Sequence, residues 1–595
     1  MKKLLLSLIA IFLFTYQSGI SQPVAFDSLD INNINARINS NGVLFDFNDS
    51  VSSHQLAKFE VPKGSGKNTI FRSTLWIGGR DNIDTLHIAA EFYNQNGHDF
   101  FAGPISNVYD SLYDAKWNKT WKIYKSDIDY FKAHWWQTGY VIPASIQNWP
   151  ANGNVALGQA NIIAPFFDND HDGIYNPGHG DYPLIKGDEA IFFVINDVRK
   201  PHTESHGNKL GIEVRGMAYA FACNEDSALW NTVFVNYKIY NLSPNKYRNS
   251  YVGIYTDLDI GYPYDDFTGC DVDRGSYFGY NAKNIDGSGQ PYAYGVHPPT
   301  QSVTFLAGPY MDPDGLDNPK YDQYGQQKCD ASVNGANFGN GIIDDERLGL
   351  TKFNSHYYDT VGLSNFTTHG DPIYAYYLLK GFWGDTAQMN YGGGGQVDNS
   401  GYGPACSFET PGITDTSNWG TNCLPPNGPK NWTEITAGDT PDDRRGLGSS
   451  GPFTFEPGAM EELDMAYVFG RNFIDTNAWA GVQVMQQRID SIRKYFINDS
   501  TPCGGSFSAL ATVPKINKQL TIYPNPAEDF ITVETSGIEG SLQYEIFDLI
   551  GKQVSKGVLK NSKQNVINIS NLQEGLYLLN VWDGRERYCR KFIKG

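Results

Sequence analysis

LTIYPNPAEDFITVET (Leu520–Thr535), YEIFDLIGKQV (Tyr544–Val554), NVINISNLQEGLYLLNVW (Asn565–Trp582) and RYCRKFIKG (Arg587–Gly595) are the most legible text in this chain. Apolar and polar residues alternate within each run, the period of a strand with one buried face. Turn formers split the runs: Pro524-Asn525-Pro526, Asp548, Gly551 and Gly575. From about Asn517 to Gly595 the pattern predicts a small antiparallel, Ig-like β-sandwich of roughly seven strands.

The order of the short words is as informative as the alternation. Tyr523-Pro524-Asn525-Pro526 comes first, then Phe547-Asp548 with Gly551-Lys552, then Gly575-Leu576-Tyr577, and last the basic Lys591-Phe592-Ile593-Lys594. This series resembles the type A C-terminal sorting domain of the type IX secretion system. The resemblance implies export through an outer-membrane translocon and removal of the domain by a sorting peptidase. The body would then be anchored to surface lipopolysaccharide or released. Upstream, Asn337-Phe338-Gly339-Asn340-Gly341, Asp442-Asp443-Arg444-Arg445 and Ser450-Gly451-Pro452-Phe453 resemble recurring text in uncharacterised secreted proteins of Bacteroidetes-type bacteria. That likeness carries no activity.

The N-terminal end agrees with export. Residues 1–21 read as a secretory signal peptide: Lys2-Lys3, the apolar LLLSLIAIFLF, then small residues up to Ser21. The apolar run is too short to span a bilayer, and no transmembrane segment is expected later. The expected location is extracellular or on the cell surface, reached through the periplasm. The formal charge is −19, or −21 once Lys2 and Lys3 leave with the leader. A polyanion lacks the basic footprint that nucleic acid requires, so no nucleic-acid partner is expected. Seven cysteines are few and odd in number for 595 residues. Cys406 and Cys423 share one Gly/Pro-rich loop and are the preferred pair in an oxidising compartment. No CxxC occurs, so a thiolate zinc site is not indicated.

Between the two ends the chain reads as mainly β, a large sandwich-like body with long loops. Residues 22–160 form a β-rich region, with one short helix near Trp117 to Trp136. Residues 161–497 form the main body. Its strongest strands are Ala190–Ile195, Met217–Ala222 and Thr232–Tyr240. From Asp312 to Gly451 apolar periodicity fades into Gly, Asn and Asp, a stretch expected to have a job or to be pinned by ions. One helix closes the body at about Asn477 to Phe496, N-capped by Asp475 or Thr476, with Val482, Met485, Ile489, Ile492 and Phe496 on one face. Residues 498–516 read as a flexible linker and 517–595 as the sorting domain.

Chemistry concentrates in acidic loops. Asp168-Asn169-Asp170-His171-Asp172-Gly173-Ile174-Tyr175-Asn176 places oxygen donors at alternate positions, and Gly173 permits the closing turn. Ile174 offers a carbonyl, Asn176 the ninth-position ligand, and Asp181 or Asp188 can complete the shell. His179 stands where an EF-hand has its bidentate Glu, and Pro165 and Pro177 exclude helical flanks. The loop is similar to those of thrombospondin type 3 or dockerin repeats, in a single copy. Calcium is the expected ion; a plain solvated acidic turn is the competing reading.

A second acidic cluster is Asp257, Asp259, Asp265, Asp266, Asp271 and Asp273. Like charges this dense repel unless neutralised, and strand alternation puts Asp257 and Asp259 on one side. Weaker candidates are Asp312 to Asn318 and Asn340 to Glu346. For an enzyme the signals are thin. His202-Thr203-Glu204-Ser205-His206 misses the HExxH order and reads as an exposed loop. Trp135, Trp136, Trp149 and Trp383 are candidates for stacking on a glycan.

The leading expectation is a non-catalytic adhesin or binding module, stiffened by calcium, for a glycan or protein ligand. A glycan hydrolase using a carboxylate pair is the alternative. A structural envelope or matrix component is the third reading.

Overall fold

A computed structural model describes residues 24–46, 58–92, 97–357, 371–394, 400–428, 430–508, 519–536, 542–548, 552–560, 564–582 and 587–595. The expected signal peptide, 1–21, lies outside the described residues. The chain divides into two units, Met1–Ala509 and Leu510–Gly595.

The main strands of the first unit are β1 (Arg72–Arg80), β2 (Leu86–Ala90), β3 (Phe101–Ala102), β4 (Trp121–Tyr124), β5 (Glu189–Asn196), β6 (Ile212–Ala220) and β7 (Thr232–Asn241). They continue as β8 (Tyr247–Leu258), β9 (Asp266–Asp271), β10 (Ser276–Asn281), β11 (Thr300–Ala307), β12 (Lys352–Tyr357), β13 (Arg444–Phe455) and β14 (Met460–Gly470). A five-stranded sheet runs β12-β13-β8-β1-β2. A nine-stranded sheet runs β9-β10-β11-β14-β7-β6-β5-β3, with β4 also paired to β5. The regions before and after residue 160, read apart in sequence, share both sheets.

Burial on two faces explains why the central strands read as unbroken apolar runs. In β5, Ile191, Phe193 and Ile195 join the core shared with the five-stranded sheet, together with Leu75, Ile77 and Ile254. Ala190, Phe192 and Val194 point to a second core on the opposite face. That second core is covered by helices α1 (Ser111–Trp117), α2 (Lys125–His134) and α4 (Ala478–Ile497). The outer face of the five-stranded sheet packs Trp76, Ile88 and Tyr255 under α3 (Pro372–Leu379), through Ala375, Tyr376, Leu378 and Leu379.

Several expectations are corrected here. Two helices, not one, surround Trp117 to Trp136. The N-cap of α4 is Asn477, because the Asp475 carboxylate instead accepts from the Asn477 amide. Cys423 pairs with Cys329, and Cys406 is a buried free thiol in a small cluster with Trp383, Met389 and Trp432. Residues 498–508, read as the start of a linker, are pinned to the body. Cys503 is bonded to Cys223, and Phe507 is buried against Phe221 and Phe234. Their Gly and Ser content hid this docking.

The second unit holds seven strands among its described residues, in two sheets. The three-stranded sheet is 519–523, 530–536 and 564–568; the four-stranded sheet orders 553–559, 542–548, 575–582 and 587–594. Leu520, Ile531 and Val533 of one sheet meet Ile546, Leu579, Val581 and Phe592 of the other. Alternation in the sequence is therefore literal: one residue in two faces the core.

Candidate metal centres and the C-terminal motif

The loop from Asp168 to Asp181 is folded by its own backbone amides. Gly173 adopts φ +78°, and its amide donates to Asp168 Oδ2 at 2.9 Å. Asp181, fully buried, accepts from the Asn169 and Asn176 amides, both at 2.8 Å. These bonds bring one oxygen each of Asp168, Asp170 and Asp181 within 4.8 Å of one another. Asp170, Asp172 and His179 form an overlapping exposed group, with His179 Nδ1 2.7 Å from Asp170 Oδ2. Asp168 Oδ1 is buried and has no hydrogen-bond donor. Burial pushes the Asp168 carboxyl up, but backbone amides of Gly173, His171 and Asp172 outweigh it and hold it below its ordinary range.

Not every expected ligand points inward. The Asn176 side chain accepts from the Gly178 amide, and Asp172 Oδ1 accepts from the Ile174 amide. Asp188 is spent on the Ala222 amide, which leaves Asp181 as the closing carboxylate. The chemistry of the donor set is that of a hard cation: carboxylate oxygens, one of them lacking a donor.

The second acidic cluster does not gather as read. Asp257, at the end of β8, and Asp259 lie on one side and meet Asp443, just before β13. All three are buried, and one oxygen from each falls within 4.8 Å of the others. Across the strands Asp257 stands opposite Arg445 on β13 and Arg72 on β1. Arg445 donates to Asp443 Oδ2 at 3.0 Å and lies 3.6 Å from Asp257 Oδ2. Burial drives Asp257 well above the carboxylate range; Arg445 opposes this, and Asp259 and Asp443 add to it.

The other four carboxylates have separate duties. Asp265 accepts from Asn281 and the Gly287 amide, Asp266 from the Ile260 amide, Asp271 from Arg274 and Gln486, and Asp273 from Thr416. Asp443 was missed because nothing local marks it; only the β8–β13 register brings it near.

The two weaker acidic loops touch. Asp344 Oδ1 accepts from the Asp314 and Gly315 amides at 2.8 Å, and Asp317 Oδ2 accepts from the Gly341 amide at 2.7 Å.

Other candidates are corrected. His202, Glu204 and Ser205 are buried, not an exposed loop, with His202 Nδ1 2.8 Å from the Ile88 carbonyl. Trp149 and Trp383 are core residues, so the four tryptophans do not form a platform; Trp136 is the one left 61% exposed.

In the C-terminal unit the first and last motif words are zipped together. Asn525 Oδ1 accepts from the Ile593 amide at 2.8 Å, and the Ala527 amide donates to the Ile593 carbonyl at 2.8 Å. Tyr523 receives a bond from Gln564 at 2.8 Å, and Tyr577 stacks on Phe592 with centroids 5.6 Å apart. Lys591 is exposed, Lys594 half-buried, and Gly551 lies outside the described residues. Residues 521–595 match the family model of the secretion system C-terminal sorting domain. The C-terminal unit is a type IX sorting domain.

The sorting domain makes the chain a type IX cargo, exported to the cell surface or beyond and engaged by that secretion machinery. No helix among the described residues is long and apolar enough to cross a membrane. No curated protein matches the chain. Among solved structures, a DUF3244 family protein from Bacteroides vulgatus with an immunoglobulin-like β-sandwich is 18% identical, at TM-score 0.13. That likeness covers 14% of this chain and 88% of the other. A polysaccharide lyase is 6% identical over 73% of this chain and 37% of its own length, at TM-score 0.19. A biofilm-associated protein BSP domain is 9% identical over 96% and 81%, at TM-score 0.15. At these scores none of the three carries an argument about the body.

Proposed function

We propose that the body is a non-catalytic binding module of the adhesin kind, with calcium bracing the loop from Asp168 to Asp181. The observation that carries this reading is the convergence of Asp168, Asp170 and Asp181 on one point, with Asp168 Oδ1 buried and lacking a donor. A divalent cation would supply the missing partner and fix a loop held otherwise by turns. Loops ordered in advance lose less entropy when they recognise a ligand. The sorting domain would be recognised by the outer-membrane translocon and cut by its peptidase, leaving the body on surface lipopolysaccharide or free.

The hydrolase reading has less behind it. Glycosidases place two carboxyls across an accessible bond. Asp257, Asp259 and Asp443 instead sit together, each at most 7% exposed, against Arg445.

The test is thermal unfolding of the full chain in calcium and in chelator, for wild type and Asp170→Ala/Asp172→Ala. A ligand that binds only the folded state raises the melting point. The expected result is a rise of several degrees in calcium that the double variant loses. Equal melting in calcium and chelator would overturn the loop as a calcium site.

A further inference from the structure

A cavity of about 590 Å³ lies in the body where β12, the end of α3 and residues 405–408 meet. Its size falls within the range of small-molecule sites, roughly 300–1,000 Å³. Two lysines line it, Lys352 on β12 and Lys380 at the C-cap of α3. The Lys352 Nζ donates to Ser407 Oγ at 2.7 Å. Lys380 lies over the rings of Tyr377 and Phe382, at 4.9 and 5.3 Å from their centroids. Among the described residues neither ammonium is paired with a carboxylate. In a chain of net charge −19 that is an unusual place for two cations.

The local fold holds Lys352 in place. The Phe353 amide donates to the Ser407 carbonyl at 2.9 Å, which ties the strand to the cavity wall. Gly381, at φ +74°, lets the Lys352 stem lie where a Cβ would come within 2.8 Å of it. Of the two acids that also line the cavity, Asp312 is committed elsewhere and Asp330 faces solvent beside a lysine. Asp312 accepts from the Thr454 amide and hydroxyl, both at 2.6 Å, and Asp330 is 3.6 Å from Lys328. Partly exposed Phe382 and Trp419 supply apolar ring surface to the same space.

We propose that this cavity binds an acidic monosaccharide unit, its carboxylate taken by Lys352 and Lys380 and its apolar face by Phe382 and Trp419. The fold has already stripped water from Lys352, so an arriving carboxylate gains Coulomb energy without that desolvation cost being met again. Burial pulls the Lys352 ammonium down to about 8, and the neighbouring Lys380 charge lowers it further. The ammonium therefore gives up its proton at lower pH than an ordinary lysine. This inference rests on the binding-module reading and names its ligand. The calcium test probes residues 168–181 alone, so the two fail separately.

The experiment is calorimetric titration of the full chain with galacturonate, against galactose and inorganic sulfate, at pH 7 and pH 9. Saturable galacturonate binding is expected, with galactose and sulfate at least about tenfold weaker, and a loss of about tenfold or more in Lys352→Met. Binding should weaken at pH 9. Lys352→Met should melt at or above wild type, because an uncompensated cation is removed, and that separates lost binding from lost folding. Lys380→Met, at a helix end, provides a second variant with a smaller loss. Absence of saturable galacturonate binding to wild type, equal binding by both variants, or galactose or sulfate binding as tightly would overturn the proposal.

Discussion

The loop at 168–181 and the triad of Asp257, Asp259 and Asp443 offer the same groups in opposite settings. In the loop, amides from within fifteen residues shape the site, and Asp170 and Asp172 face solvent. In the triad, strands far apart in sequence meet, and all three carboxylates are buried beside a guanidinium. Solvent-facing carboxylates such as Asp170 and Asp172 are hydrated and tolerate an absent ion, so an ion bound there would only adjust order. Buried ones need a countercharge built into the chain, because an unpaired buried charge is too costly. Arg445 is that countercharge, whereas Arg72 is committed to Asp46 at 2.6 Å.

Removing Arg445 should have the largest effect. Arg445→Met leaves three buried carboxylates facing one another, and denaturant unfolding should report a loss of about 3–5 kcal/mol. A change below about 1 kcal/mol would mean that solvent screens the triad, as it does an exposed pair. The contrast would then collapse.

Titration probes the buried side next. Glu409 accepts from the Ser355 amide at 2.6 Å, and burial raises it to about 8, with Glu434 adding to the shift. Its folded form holds a proton that its unfolded form releases near 4.5, so this contribution to stability falls as pH rises from about 5 to 8. Melting curves across that window should slope downward. Glu409→Gln should flatten the slope; an unchanged slope would remove Glu409 from the account.

Gly173 sharpens the loop side. Its φ is +78°, yet a Cβ there would meet nothing within 4 Å. Gly173→Ala should therefore cost only the backbone strain, about 1 kcal/mol, measurable by denaturant unfolding in chelator. A cost above about 3 kcal/mol would show packing that the geometry does not contain. The smallest effect belongs to Asp257→Asn, which keeps the shape of a carboxyl that burial already holds toward its protonated form. Its melting point should stay within a few degrees of wild type or rise, and a large fall would show that Asp257 must be ionised.

Legibility followed the range of the interactions. The sorting domain was readable because its strands bury alternate residues and turn formers such as Pro524-Asn525-Pro526 separate them. In the loop at 168–176 the Gly173 turn was readable because the residues it closes are adjacent in sequence, whereas the bonds that Asp172 and Asn176 make to the loop's own amides were not. Helix α4 was readable from Val482, Met485, Ile489 and Ile492, which are all buried. The rest depended on distant pairing. Asp443 reaches Asp257 only through strand register, and Cys329 reaches Cys423 only after the irregular stretch folds back. His202 and Glu204 look like loop residues until β1, β2 and their neighbours close over them. The Lys352 cavity carries no motif, since what distinguishes its lysines is the lack of a carboxylate partner among the described residues.

The most direct test of calcium bracing is calorimetric titration of calcium into the chelator-stripped full chain, wild type against Asp168→Ala. Wild type should show a saturable site that Asp168→Ala lacks. Identical titrations of the two proteins would contradict it.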